Sequence, residues 1–65
     1  MSSEESITLT APEQSKLGVF HCEVPRNGFI AVAGEPRDIA DGESIVFQRS
    51  GIKAKRVGDE YIFNR

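Results

Sequence analysis

Apolar side chains in this chain recur at alternate positions in short runs, and glycine, proline, asparagine and aspartate separate the runs. That spacing is the mark of half-buried strands rather than of helices. Ile7-Thr8-Leu9-Thr10 alternates apolar with polar and is β-branched throughout except at Leu9, which predicts a strand. Thr10-Ala11-Pro12-Glu13 has the form of a helix-start box, with proline acceptable in a first turn. Gly18 follows too soon for more than one helical turn over residues 12–16.

Leu17 to Val24 reads as a second strand, with Phe20, Cys22 and Val24 on one face and Val19, His21 and Glu23 on the other. Pro25 lacks a ladder donor, so this end is expected at an edge or a bulge. Asn27-Gly28 is the strongest hairpin signal in the chain. Phe29 to Ala33 is apolar throughout and is expected to be the most buried strand. Gly34 to Gly42 carries two glycines, Pro36, Asp38 and Asp41, and reads as the longest loop.

Ser44–Arg49, Ile52–Val57 and Glu60–Asn64 then form an expected meander with two-residue turns at Ser50-Gly51 and Gly58-Asp59. Such turns set a register in which Arg49 opposes Ile52, Phe47 opposes Ala54 and Ile45 opposes Arg56. In the second hairpin Arg56 opposes Tyr61, Ala54 opposes Phe63 and Ile52 opposes Arg65. One face then gathers Ile45, Phe47, Ile52, Ala54, Tyr61 and Phe63, rimmed by Arg49, Arg56 and Arg65. The opposite face gathers Val46, Gln48, Lys53, Lys55, Val57, Glu60, Ile62 and Asn64. The fold class expected is all-β: a small antiparallel barrel or sandwich of five to six short strands, SH3-like or OB-like in size.

A length of 65 residues allows one domain, 1–65, with residues 1–5 expected to form a flexible polar tail. The composition, 38% apolar and 28% charged, is that of a folded globular chain. Cys22 is the one cysteine, so no internal disulfide forms, which favours a cytoplasmic setting over a secreted one. Met1 to Ser6 is polar and acidic, unlike a secretory leader, and no apolar run is long enough to cross a membrane.

The net charge of −2 conceals a split. Up to residue 48 the basic side chains are Lys16, Arg26 and Arg37, against eight acidic ones. From residue 49 onward Arg49, Lys53, Lys55, Arg56 and Arg65 face only Asp59 and Glu60. These five cations are the candidate partner-binding residues. The aromatic face beside them admits two readings: a core whose rim is covered by arginine stems, or a stacking platform for single-stranded nucleic acid. Lys53 and Lys55, two apart on one strand, meet a charged partner or protect a sheet edge.

No catalytic constellation is expected. His21 and Cys22 are adjacent on a strand and point apart, which separates a nucleophile from its base. Gly34-Glu35-Pro36 lacks the spaced glycines and lysine of a phosphate loop, and Asp38 with Asp41 are too few for calcium. No cofactor or metal is implied. The chain therefore reads as a small non-enzymatic regulator or inhibitor that binds another protein. The alternatives are a nucleic-acid-binding barrel using the basic meander, and a structural subunit that forms homo-oligomers through strand edges.

Overall fold

Four of the chain's turns are two residues long, and they set the architecture. In the computed structural model, which describes residues 5–65, eight strands form two antiparallel four-stranded sheets with no helix among the described residues. The strands are β1 (Ser6–Thr10), β2 (Glu13–Leu17), β3 (Phe20–Arg26), β4 (Phe29–Val32), β5 (Glu35–Asp38), β6 (Ser44–Val46), β7 (Lys53–Val57) and β8 (Glu60–Asn64). One sheet has the order β1-β8-β7-β6 and the other β2-β3-β4-β5, and the ladders do not close into a barrel. The expected 1–5 tail lies outside the described residues except for Glu5, whose carbonyl accepts the Arg65 N–H at 3.0 Å.

The eight strands exceed the five or six expected, for local reasons. The expected Leu17–Val24 strand is broken at Gly18-Val19, where Leu17 pairs with Phe20 across a tight turn. Gly18 has φ +64°, and a Cβ there would run into the Arg65 guanidinium, so the position suits glycine on two counts. Val19, at the tip, is 82% exposed.

The loop expected over Gly34–Gly42 contains β5. Val32 pairs with Glu35 around Ala33-Gly34, and both turn residues have positive φ, 52° and 80°. That is the backbone of a type I′ hairpin, and alanine in its first position gives no sequence signal. Pro36 is tolerated because β5 is an edge strand.

The helical turn expected over 12–16 is also absent, since residues 13–17 are β2. Half of the capping box nevertheless forms: the Glu13 carboxylate accepts the Thr10 N–H at 2.7 Å. The chain beyond it pairs instead with β3, from Glu13 opposite Val24 to Leu17 opposite Phe20, and so delivers Leu17 to the core. Tertiary pairing overrides the local helical preference. Pro25 sits where the β3–β4 register shifts between Glu23 and Arg26, the bulge expected of it. β4 is the buried strand foreseen, with Ile30 and Val32 fully covered and Ala31 at 8%.

The β7–β8 register is the one expected, with Arg56 opposite Tyr61 and Ala54 opposite Phe63. The β6–β7 register is not. Ile45 opposes Ala54 rather than Arg56, and Val46 opposes Lys53. Phe47 opposes Ile52 rather than Ala54, donating its N–H to the Ile52 carbonyl at 2.8 Å. Arg49 has no strand partner among the described residues and lies in a four-residue loop, Gln48 to Gly51, which the Gly51 N–H closes on the Phe47 carbonyl at 2.6 Å. The slip is two residues, so every side chain keeps its face.

One core cluster joins the two sheets. The first contributes Leu9, Phe47, Ile52, Ala54, Tyr61 and Phe63, the second Leu17, Cys22, Val24, Ile30 and Val32, and Ile39 closes it from the β5–β6 crossover. Each large side chain removed from water contributes about 1.5–3 kcal/mol before the entropy of ordering is subtracted. Phe47, Tyr61 and Phe63 are fully buried, so the aromatic face is core and not a stacking platform.

Candidate partner-binding face

The five candidate cations part into two groups. Arg56 and Arg65 point to the core side of their sheet and are engaged within the chain. Arg56 donates through Nε to the Gly58 carbonyl at 2.9 Å and through Nη1 to the Ile39 carbonyl at 3.2 Å, with its guanidinium 5.5 Å from the centre of the Tyr61 ring. It ties the β7–β8 turn to the crossover. Arg65 pairs with the Glu5 carboxylate at 3.1 Å and lies 5.7 Å from the centre of the Phe20 ring, capping the opposite end of the core.

Arg49, Lys53 and Lys55 are exposed and make no ion pair among the described residues. Arg49 stands in the Gln48–Gly51 loop. Lys53 and Lys55 project from the outer face of β7, the even spacing having placed them there. β7 lies between β8 and β6, so these lysines do not guard an edge.

The strand registers give the surroundings of the two lysines row by row. Lys55 stands between Ser44 and Ile62, and Thr8 follows on β1. Lys53 stands between Val46 and Asn64, followed by Ser6. In the next row Val57 faces Glu60, followed by Thr10. Val46 and Val57 are 50% and 49% exposed, and Ile62 is half-buried. The face is therefore a sheet surface of small hydroxyls with three β-branched apolar side chains, the Asn64 amide, the Glu60 carboxylate, and two ammonium groups that form no ion pair among the described residues. A shallow hollow lined by Gly51, Lys53, Asn64 and Arg65 borders it.

Sequence reasoning placed Val46, Lys53, Lys55, Val57 and Ile62 on one side from the hairpin periodicity alone. It missed the β1 contribution of Ser6, Thr8 and Thr10, because pairing between the first and last strands leaves no local trace. The alternation in Ile7-Thr8-Leu9-Thr10 is the one signal that a polar stripe would join some sheet.

On the second sheet, a cleft lined by Pro12, Glu13, Gln14, Glu23, Val24 and Pro25 opens beside the bulge. His21 is exposed, with Nε2 3.2 Å from Gln14 Oε1, while the adjacent Cys22 is fully buried. Burial pushes the Cys22 thiol above its ordinary range, outweighing a hydrogen bond with the Leu17 backbone that lowers it. Asp41 accepts the Gly58 N–H at 2.7 Å, so it serves the neighbouring hairpin turn rather than its own loop. Among the described residues no three His, Cys, Asp or Glu side chains gather as metal ligands, and no helix is long and apolar enough to cross a membrane. Compared with known proteins, the chain matches no family model, no curated protein and no solved structure.

Proposed function

We propose that this protein is a small β-sandwich that works as a protein-binding module, and that its contact surface is the outer face of the β1-β8-β7-β6 sheet. The observation that carries the reading is the joint exposure of Val46 and Val57 beside Lys53 and Lys55, which form no ion pair among the described residues. Apolar side chains supply contact area, and ammonium groups steer and orient an acidic partner. The net charge of −2 argues against nucleic acid as the main partner. A fold held without a disulfide fits a cytoplasmic setting.

The test is the double substitution Lys53→Glu with Lys55→Glu. Exposed charges contribute little to folding, so the variant keeps wild-type stability within about 0.5 kcal/mol. Its association with a protein recovered from the native host slows at low salt, and the difference shrinks as salt rises. An unchanged association rate at low salt ends the reading. Retention of single-stranded nucleic acid by the wild type, with an affinity that falls steeply with salt, moves the assignment to the nucleic-acid alternative.

A further inference from the structure

The two sheets have four edge strands, and three of them carry the usual protection against pairing with another chain. β5 holds Pro36 with Glu35, Arg37 and Asp38; β2 holds Glu13 and Lys16; β6 is only three residues long. β1 differs, because Ser-Ile-Thr-Leu-Thr has five residues, no charge and no proline. We propose that β1 pairs antiparallel with β1 of a second copy of this chain, about a two-fold axis at Thr8. This pairing does not depend on the function assigned to the lysine-bearing face.

The phase of the ladder decides which groups are free. The Arg65 N–H bonds the Glu5 carbonyl, so Glu5 and Arg65 are a hydrogen-bonded pair. In an antiparallel ladder such pairs alternate, which makes Ile7 with Phe63 and Leu9 with Tyr61 the next two. The peptide groups of Ser6, Thr8 and Thr10 therefore point away from β8, toward the open edge. The Thr10 N–H reaching out to Glu13 agrees with this phase. Ser6 and Thr8 have no such cap among the hydrogen bonds of the described residues.

A second copy satisfies this edge in one register. With Thr8 opposite Thr8 of the other copy, Ser6 falls opposite its Thr10, and all three outward residues enter hydrogen-bonded pairs. The outer face gains Thr–Thr and Ser–Thr neighbours, which are favourable cross-strand pairs. On the inner face Ile7, only half-buried in one copy, meets Leu9 of the other. No charge stands in any of the five paired rows. The Thr10 N–H exchanges the Glu13 carboxylate for the Ser6 carbonyl of the second copy. The two outer faces become one eight-stranded surface carrying two sets of Lys53 and Lys55.

Sedimentation velocity of the full chain, from micromolar to millimolar, tests the pairing. Thr8→Pro removes an outward N–H and leaves the β1–β8 ladder its own donors, so it should weaken dimerisation at least about tenfold without altering the circular dichroism spectrum. Lys16→Pro, on the β2 edge, should leave the dimer intact. Thr8→Cys should give a disulfide-linked dimer on mild oxidation, because opposed residues of a hydrogen-bonded pair lie about 5.5 Å apart at Cα, within bridging range. Cys22 is buried and does not compete. The Thr8→Cys result stands on its own if Thr8→Pro fails to fold. A wild type that stays monomeric at millimolar concentration, a dimer indifferent to Thr8→Pro, or crosslinking through Lys16→Cys but not Thr8→Cys overturns the proposal.

Discussion

The hydroxyl of Tyr61, on β8, accepts the N–H of Gly28 in the Asn27-Gly28 turn of the other sheet, at 2.6 Å. The ring is fully buried, so this bond crosses the core and pins the strongest hairpin turn of one sheet to the longest aromatic side chain of the other. Gly28 also gives its carbonyl to the Ile39 N–H at 2.9 Å, and the Ile39 carbonyl takes the Arg56 guanidinium. Turn, crossover and second hairpin are thus held by one chain of bonds. Tyr61→Phe leaves the ring packing in place and the Gly28 N–H unpaired. The expected loss is about 1–3 kcal/mol, read as a lower urea midpoint with an unchanged slope.

Phe63 tests the core more severely. It is fully buried opposite both Ile7 and Ala54, at the centre of its sheet. Phe63→Ala should cost about 3–5 kcal/mol, a large share of the stability expected of so small a domain. Urea denaturation followed by circular dichroism should show a chain partly or wholly unfolded in water. A variant that folds as stably as wild type would contradict the burial.

Arg56 is expected to behave as a structural residue and not as a contact for partners. Arg56→Ala removes two hydrogen bonds to carbonyls and the cover over Tyr61, and should lower stability by about 1–3 kcal/mol. Arg56→Lys should recover only part of this, since an ammonium cannot span both carbonyls as the planar fork does. Measured beside Lys53→Glu with Lys55→Glu, the two kinds of variant should separate: one shifts the denaturation midpoint, the other the association rate.

Cys22 gives the chain a defined response to alkali. Its thiol is held above the ordinary range, chiefly by burial, so the folded state resists ionisation that the unfolded chain undergoes readily. The associated stability is fully present below the unfolded thiol value and is lost as pH rises toward the folded one. Cys22→Ala should flatten this part of the stability–pH curve relative to wild type. In the native protein a thiol reagent should react slowly, at a rate that rises with urea as unfolding exposes the sulfur.

Legibility in the sequence followed the range of the interactions. Alternation placed Phe20, Cys22 and Val24 together, and likewise Lys53 with Lys55, because facing is a property of a single strand. The Gly58-Asp59 hairpin gave its register correctly, since a two-residue turn fixes it locally. β5 was missed because its hairpin turns on Ala33 at φ 52°, a conformation that alanine does not advertise. β2 was hidden by a helix-start pattern whose side-chain bond exists without its helix. The union of β1 with β8 joins the two ends of the described chain, and no short-range rule reaches so far. Of the five candidate cations, the register put Arg56 opposite Tyr61, but no sequence rule told that it would be spent on the Ile39 and Gly58 carbonyls.

The closure of the β6–β7 hairpin bears on how the chain tolerates insertion and deletion. Phe47 and Ile52 close the hairpin, and Gln48 to Gly51 only bridge them. Shortening or lengthening that bridge by a residue leaves Ile45 and Phe47 on the core side, because the closing pair and not the loop sets the register. A one-residue deletion inside the strand is different: loss of Val46 would carry Ile45 to the outer face of the sheet unless a bulge absorbs the change. Length variation should therefore be accepted in the Gln48–Gly51 bridge, at odd and even lengths alike, and resisted within Ser44–Phe47, where each residue sets the facing of those before it.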